Sequence, residues 1–287
     1  MRHDGFDVTF WGVRGSVATP GPRTVKVGGN TSCVEVMAGD ERVILDGGTG
    51  LRELGETLRH DGPINAHVFF SHVHWDHIQG VPFFAPAFDP RSSFVLHAGR
   101  RDGRTVRDAL GGQMADPYFP VHLQEIEAAL AFHDLEQRQR VTVGDGVVVH
   151  GVEGNHPDGV FAWRVEWKGH ALVYATDTES SSLHDEAIIE LARGADVFIY
   201  DAQFTPEQID GGDGRGSRRG WGHSTMLDGA RIAQAARVGT YVLFHHDPNQ
   251  DDDAVVAKER RAQAVFGRSV AAREGLILDV TRGHRGA

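Results

Sequence analysis

With 287 residues, 40% of them hydrophobic, the chain can bury a substantial core, and no segment is both long and apolar enough to span a bilayer. Its formal charge of −11 at pH 7 disfavours a long nucleic acid as partner, because such affinity comes largely from neutralised phosphates. A single cysteine, Cys33, excludes an intramolecular disulfide and a cysteine-built zinc ribbon, fits a reducing compartment, and reads as a small buried apolar residue.

Met1 to Asp4 lead straight into a strand pattern without a basic leader or an apolar signal core, so a cytoplasmic location is expected. In the first half, strands are predicted over Phe6 to Gly12, Ser32 to Ala38, Glu41 to Leu45, Ala66 to Phe70 and Ser93 to His97, with helices after Thr49 and Asp102. In the second half they are predicted around Val147, at Val160 to Trp167, Ala171 to Ala175, Val197 to Tyr200, Thr240 to Phe244 and Leu276 to Asp279. The accompanying helices are placed at Glu186 to Arg193, Leu227 to Arg237 and Asp253 to Ala272, the last with Asp251, Asp252 and Asp253 at its positive end and including Arg260, Arg261 and Arg268. Strands and helices interleave without repeats or long linkers, so one α/β domain over 1–287 is expected.

Ser71-His72-Val73-His74-Trp75-Asp76-His77 places three imidazoles and a carboxylate in six consecutive positions after an apolar strand. Side chains of a strand alternate between faces, so His72 and His74 reach one point, and Asp76 and His77, beyond the next turn, offer a second ligand set. That spacing suits two metal ions at a strand's C-terminal end, where α/β proteins place ligands. Of the remaining histidines, His60, His67, His97, His133, His170 and His184 lack ligand spacing.

These residues resemble the signature of the metallo-β-lactamase superfamily. That resemblance implies an αββα sandwich with the metal site along one edge, and three further ligands at strand ends. His156, held extended by Pro157, Asp177 after Ala171 to Ala175, and His245 in His245-His246-Asp247-Pro248 take those places, with His246 the fallback. The implied ligand sets are His72, His74, His156 and Asp177 for one ion, and Asp76, His77, Asp177 and His245 for the other, with a shared hydroxide that Asp76 also orients. Nitrogen and oxygen donors suit Zn2+ best, with Mn2+, Fe2+ or Ni2+ also compatible. Asp46 in Asp46-Gly47-Gly48-Thr49-Gly50 becomes a carboxylate beneath the metal histidines, since the segment lacks the Lys-Ser/Thr of a phosphate loop.

Trp221-Gly222-His223-Ser224-Thr225 is similar to the ribonuclease Z and cyclic-nucleotide phosphodiesterase branch, which implies His223 as the acid that protonates an alkoxide leaving group. Thr225 and Asp228 read as a capping box. Trp11 to Ser16 and Gly28 to Ser32 also look like segments of that branch and are expected to shape the site floor. Ser224, Tyr118 and Phe119 between prolines, and Arg218 and Arg219 in a glycine-rich basic loop resembling a lid, are the candidate substrate contacts. The expected function is a dinuclear metal phosphodiesterase acting on a small phosphodiester, with a cyclic nucleotide foremost and a homodimer as the implied assembly. Ribonuclease Z activity, a lactonase or thioesterase, and a metal-dependent ligand-binding sensor are the alternatives.

Overall fold

The short apolar runs become two stacked sheets. In the computed structural model, which describes residues 4–100 and 103–282, the first half contains β1 (Phe6–Gly12), β2 (Cys33–Ala38), β3 (Glu41–Leu45), α1 (Gly50–Leu58), β4 (Asn65–Phe70), α2 (Trp75–Ile78), β5 (Ser93–Gly99), α3 (Val106–Gln113) and β6 (Ala129–Leu135). The second contains β7 (Val141–Val143), β8 (Val147–Gly154), β9 (Val160–Trp167), β10 (His170–Ala175), α4 (Ser182–Ala192), β11 (Val197–Asp201), α5 (Pro206–Ile209), α6 (Met226–Ala236), β12 (Thr240–Phe244), α7 (Asp252–Gln263) and β13 (Ser269–Ala271), and β14 (Ile277–Asp279) returns to the first sheet. The sheets are seven-stranded, in orders β14-β1-β2-β3-β4-β5-β6 and β13-β12-β11-β10-β9-β8-β7.

Period-two patterning decides which face each strand buries. In β1, Phe6, Val8 and Phe10 are fully buried and alternate with half-buried residues, and the Phe10 ring lies 6.1 Å from that of Phe244 on the opposing sheet. Each such burial is worth roughly 1.5–3 kcal/mol. β11 and β12 are buried along their whole length, as parallel strands covered on both faces must be. One apolar cluster runs between the sheets and out beneath α4, α6 and α7, and a second lies between the first sheet and α1 and α3. This is the αββα sandwich expected from the sequence.

Besides the short helix α5, which was not predicted, three elements that bear on the sheets depart from expectation. The helix predicted to Ala272 ends at Gln263; Ser269–Ala271 instead pairs in parallel with β12, so Arg268 lies outside the helix and donates to the Val238 carbonyl. Pairing with an otherwise open sheet edge overrode local helical preference. β6 and β7 were not anticipated. β6 exposes Ala129, Ala131 and His133 on one face and only half-buries Leu130 and Phe132 on the other, and β7 is three residues long, so neither carries a strong alternation. Thr225 caps α6 as expected, accepting from the Asp228 amide while the Asp228 carboxylate accepts from the Thr225 amide.

Candidate metal centre

Strand ends on one edge of the sandwich deliver the chemistry. β4 runs into Ser71–His77, β8 into Asn155 and His156, β10 into Asp177, β11 ends on Asp201, and β12 runs into His245. Asp46, Asp177 and His245, each just past a strand, have φ of +61°, +52° and +57°. That left-handed backbone is costly for a residue with a Cβ, and here it turns each side chain back over the strand end.

Two donor clusters result, and a third group, overlapping the second, joins Asp201 and His223 to Asp177 and His245. His72 Nε2 lies 2.9 Å from His74 Nδ1, which lies 3.2 Å from His156 Nε2. Beside them, His77 Nε2 and His245 Nε2 each approach Asp76 Oδ2 and Asp177 Oδ2 at 3.2–3.3 Å. Asp177 spans both clusters, its Oδ1 being 3.9 Å from His72 Nε2. All four members of the second cluster are buried.

The tautomers show what these groups fit. His77 Nδ1 donates to Asp46 Oδ2 at 2.7 Å, His245 Nδ1 to Gln203 Oε1 at 2.9 Å, and His156 Nδ1 to the Gly222 carbonyl at 2.9 Å. With the proton on Nδ1, each Nε2 presents a lone pair to other acceptors, and buried His77 Nε2 has no hydrogen-bond partner. Lone pairs converging on carboxylate oxygens repel unless a cation sits among them, so the residues fit two divalent ions.

Electrostatics agree. Burial, then the neighbouring His77, pushes His72 well below the ordinary imidazole range, and burial lowers His156, which keeps both rings neutral and ligand-competent. Burial opposes charge on Asp76 and Asp177, yet the surrounding His77 and His245 rings hold both carboxyls far below the usual range. Burial likewise opposes a proton on His77, but Asp76, Asp177 and Asp46 outweigh it and raise its pKa. Metal binding would displace that proton.

Behind the ligands, Asp46 accepts from the Ser71 amide and hydroxyl and the Tyr174 hydroxyl as well as from His77. The Ser16 amide donates to Asp76 Oδ2 at 2.7 Å, which puts the Trp11 to Ser16 segment at the site as expected. Arg14, fully buried, bonds the carbonyls of Gly28, Asp247 and Gln250 and so ties that floor to the loop after β12.

Between the adjacent histidines, it is His245 that reaches the cluster, while His246 Nε2 meets the Ala272 carbonyl at 3.0 Å. His223 lies alongside, its ring stacked 5.1 Å from that of His245 and its Nδ1 donating to Asp201 Oδ2 at 2.8 Å. Burial disfavours its charged form, but Asp201, with Asp177 and Asp76, raises its pKa. Asp201 and Gln203 escaped the sequence reading, although Asp201 ends an apolar run just as Asp177 follows one.

The expected substrate contacts fare differently. Ser224 is fully buried, its hydroxyl donating to the Thr178 carbonyl and accepting from the Ser180 amide, so it braces the loop and does not face a ligand. Arg218 is buried against Phe204 and paired with Asp213, which anchors the glycine-rich loop expected to act as a lid. Ordering the glycine-rich turn around one guanidinium satisfies several carbonyls at once. Arg219 pairs with Asp210 at the surface, Phe119 packs edge-on against Phe83, and Tyr118 is 80% exposed.

Comparison with known proteins agrees with this architecture. Residues 41–246 match the family model described as "Beta-lactamase superfamily domain". A Ribonuclease Z from Bacillus subtilis (strain 168) is 27% identical over 207 residues, covering 71% of this chain and 61% of that protein, so the chain spans less than two thirds of this relative. Among solved structures, the metallo-beta-lactamase fold protein YhfI from Bacillus subtilis superimposes with a TM-score of 0.71 at 20% identity over 96% of this chain and 100% of its own. A diphosphatase from the PhnP family gives 0.70 at 18% identity, over 96% and 97%. The family match over residues 41–246 establishes that the chain belongs to the β-lactamase superfamily, and its strand ends gather His and Asp groups that could hold metal ions.

Proposed function

We propose that this protein is a dinuclear metal-dependent phosphodiesterase acting on a small phosphodiester, with a cyclic nucleotide as its leading substrate. The observation that carries the reading is the Asp201–His223 pair beside the two donor clusters. Divalent ions in those clusters would supply an activated water and charge neutralisation at a phosphate. The protein's own part follows from its geometry. Asp201 fixes the proton on His223 Nδ1 and favours the imidazolium, leaving Nε2 to give a proton to a departing alkoxide. Asp76 would help hold a metal ion and would orient the attacking water. Zinc is the metal best matched to the nitrogen and oxygen donors. The reading keeps residues 1–287 as one domain, in a cytoplasmic homodimer.

Ribonuclease Z activity is the second reading, favoured by the name of the Bacillus subtilis relative, and it weighs against the expectation that a long nucleic acid is disfavoured as partner. Against it stand the charge of −11 and the burial of Arg218, which leaves the basic loop poorly suited to gripping a phosphate backbone.

The test is leaving-group dependence. His223→Ala should retain both ions and lose roughly 10²–10⁴ in turnover on an alkoxide-leaving phosphodiester. On a nitrophenyl phosphodiester, whose leaving group departs unaided, most of that loss should vanish. An equal loss on both substrates would remove the proton-donor role.

A further inference from the structure

The segment that carries His223 is tied to the metal ligand His156 through one carboxylate outside both donor clusters. Glu179 Oε2 accepts from the Gly220 amide at 2.7 Å and from the Gly222 amide at 3.1 Å. The Gly222 carbonyl, on the other side of the same residue, accepts the Nδ1 proton of His156, so the residue whose amide Glu179 holds also sets that ring's tautomer. Glu179 is also laced to the strand end bearing His156: its amide donates to the Asn155 carbonyl at 2.8 Å, and Asn155 Nδ2 donates to its carbonyl at 3.0 Å. By sequence it stands two residues after Asp177.

The contact leaves no slack. Gly222 has φ of +84°, and a Cβ there would fall 2.0 Å from His156 Nδ1, so backbone and imidazole touch directly. One end of the turn is held by Arg218 and Arg219 on Asp213 and Asp210, and the other by His223 and Ser224 on Asp201 and Thr178; between these anchors Glu179 is the side chain that bonds the Gly220 and Gly222 amides.

We infer that Glu179 is a positioning residue that registers the Gly220–His223 turn against His156, setting metal affinity at the His72/His74/His156 cluster and the placement of His223 together. The inference rests on the dinuclear reading above. Partners that orient a ligating imidazole govern affinity at the metal they serve, typically by 10–100-fold.

The experiment measures ions bound per chain and their affinities by competition with chelators of graded strength, using the full chain as wild type, Glu179→Ala and Glu179→Gln. The glutamine keeps an oxygen able to accept both amides. Glu179→Ala should lose about 10–100-fold in affinity for one ion only, with the second unchanged, and Glu179→Gln should restore it. Thermal unfolding of the metal-free proteins separates misfolding from this effect: the two variants should melt together. Two ions held by Glu179→Ala with wild-type affinity would overturn the inference, and so would a glutamine variant as impaired as the alanine. A wild-type protein holding fewer than two ions would instead defeat the dinuclear reading on which it rests.

Discussion

Each oxygen of Asp177 faces a different donor cluster, Oδ1 toward His72 and Oδ2 toward His77 and His245, so its removal takes an anionic ligand from both at once. Asp177→Ala should therefore bind less metal and lose turnover, and full metal content in that variant would defeat the bridging assignment. The adjacent histidines give a sharper comparison. His245→Ala removes a ring whose Nε2 lies 3.2 Å from two carboxylates, whereas His246→Ala removes one bonded to a carbonyl, so metal occupancy should fall in the first and persist in the second. The reverse order would shift the ligand by one residue. The same scale places Ser224 and Arg218 among internal partners. A hydroxyl or guanidinium near His223 looks available in sequence, but buried polar groups are satisfied internally wherever the fold permits.

Among the elements, β4 and β5 carry a second group of histidines outside the donor groups found among the described residues. His67 Nδ1 meets His97 Nε2 at 3.0 Å across the strands, and the His97 ring stacks 4.3 Å from Phe69. Burial, followed by the neighbouring His67 and His133, pushes His97 down to about 3. The unfolded ring titrates near 6.5. Between those values the unfolded chain holds a proton that the folded one does not, so this contribution to stability is complete above pH 6.5 and declines as pH falls toward 3. From pH 7 to pH 5 the loss amounts to roughly 2 kcal/mol. In denaturant titrations of metal-free protein at the two pH values, His97→Phe should be less pH-sensitive than wild type by about that amount. Identical sensitivity would show that His97 is not the titrating group.

For the whole molecule, the charge of −11 separates the two phosphodiester readings. Turnover of a small cyclic phosphodiester should change little between 50 and 200 mM salt, because few phosphates are neutralised. An RNA gripped along its backbone through 6–10 contacts would lose about 10³–10⁵ in affinity over that range. Efficient cleavage of a precursor transfer RNA, with that steep salt dependence, would favour the Ribonuclease Z reading over a small substrate.

Read from the sequence, His72, His74, Asp76 and His77 were accessible because they are contiguous and follow an apolar strand, and most strands were accessible because they alternate or run fully apolar, whereas the sandwich came from the resemblance. His156, Asp177 and His245 stood out only through resemblance, since nothing local distinguishes one strand-end histidine from another. What the tertiary structure alone decided is everything that depends on register between distant strand ends. It brought Asp201 beneath His223, buried Arg218 and Ser224, and put Glu179 against Gly222. It also turned Ser269–Ala271 from expected helix into strand by offering an open edge of β12. Local pattern encodes which face of an element is apolar, but partners separated by tens of residues along the chain are chosen by packing, and the chemistry of this site lies in those partners.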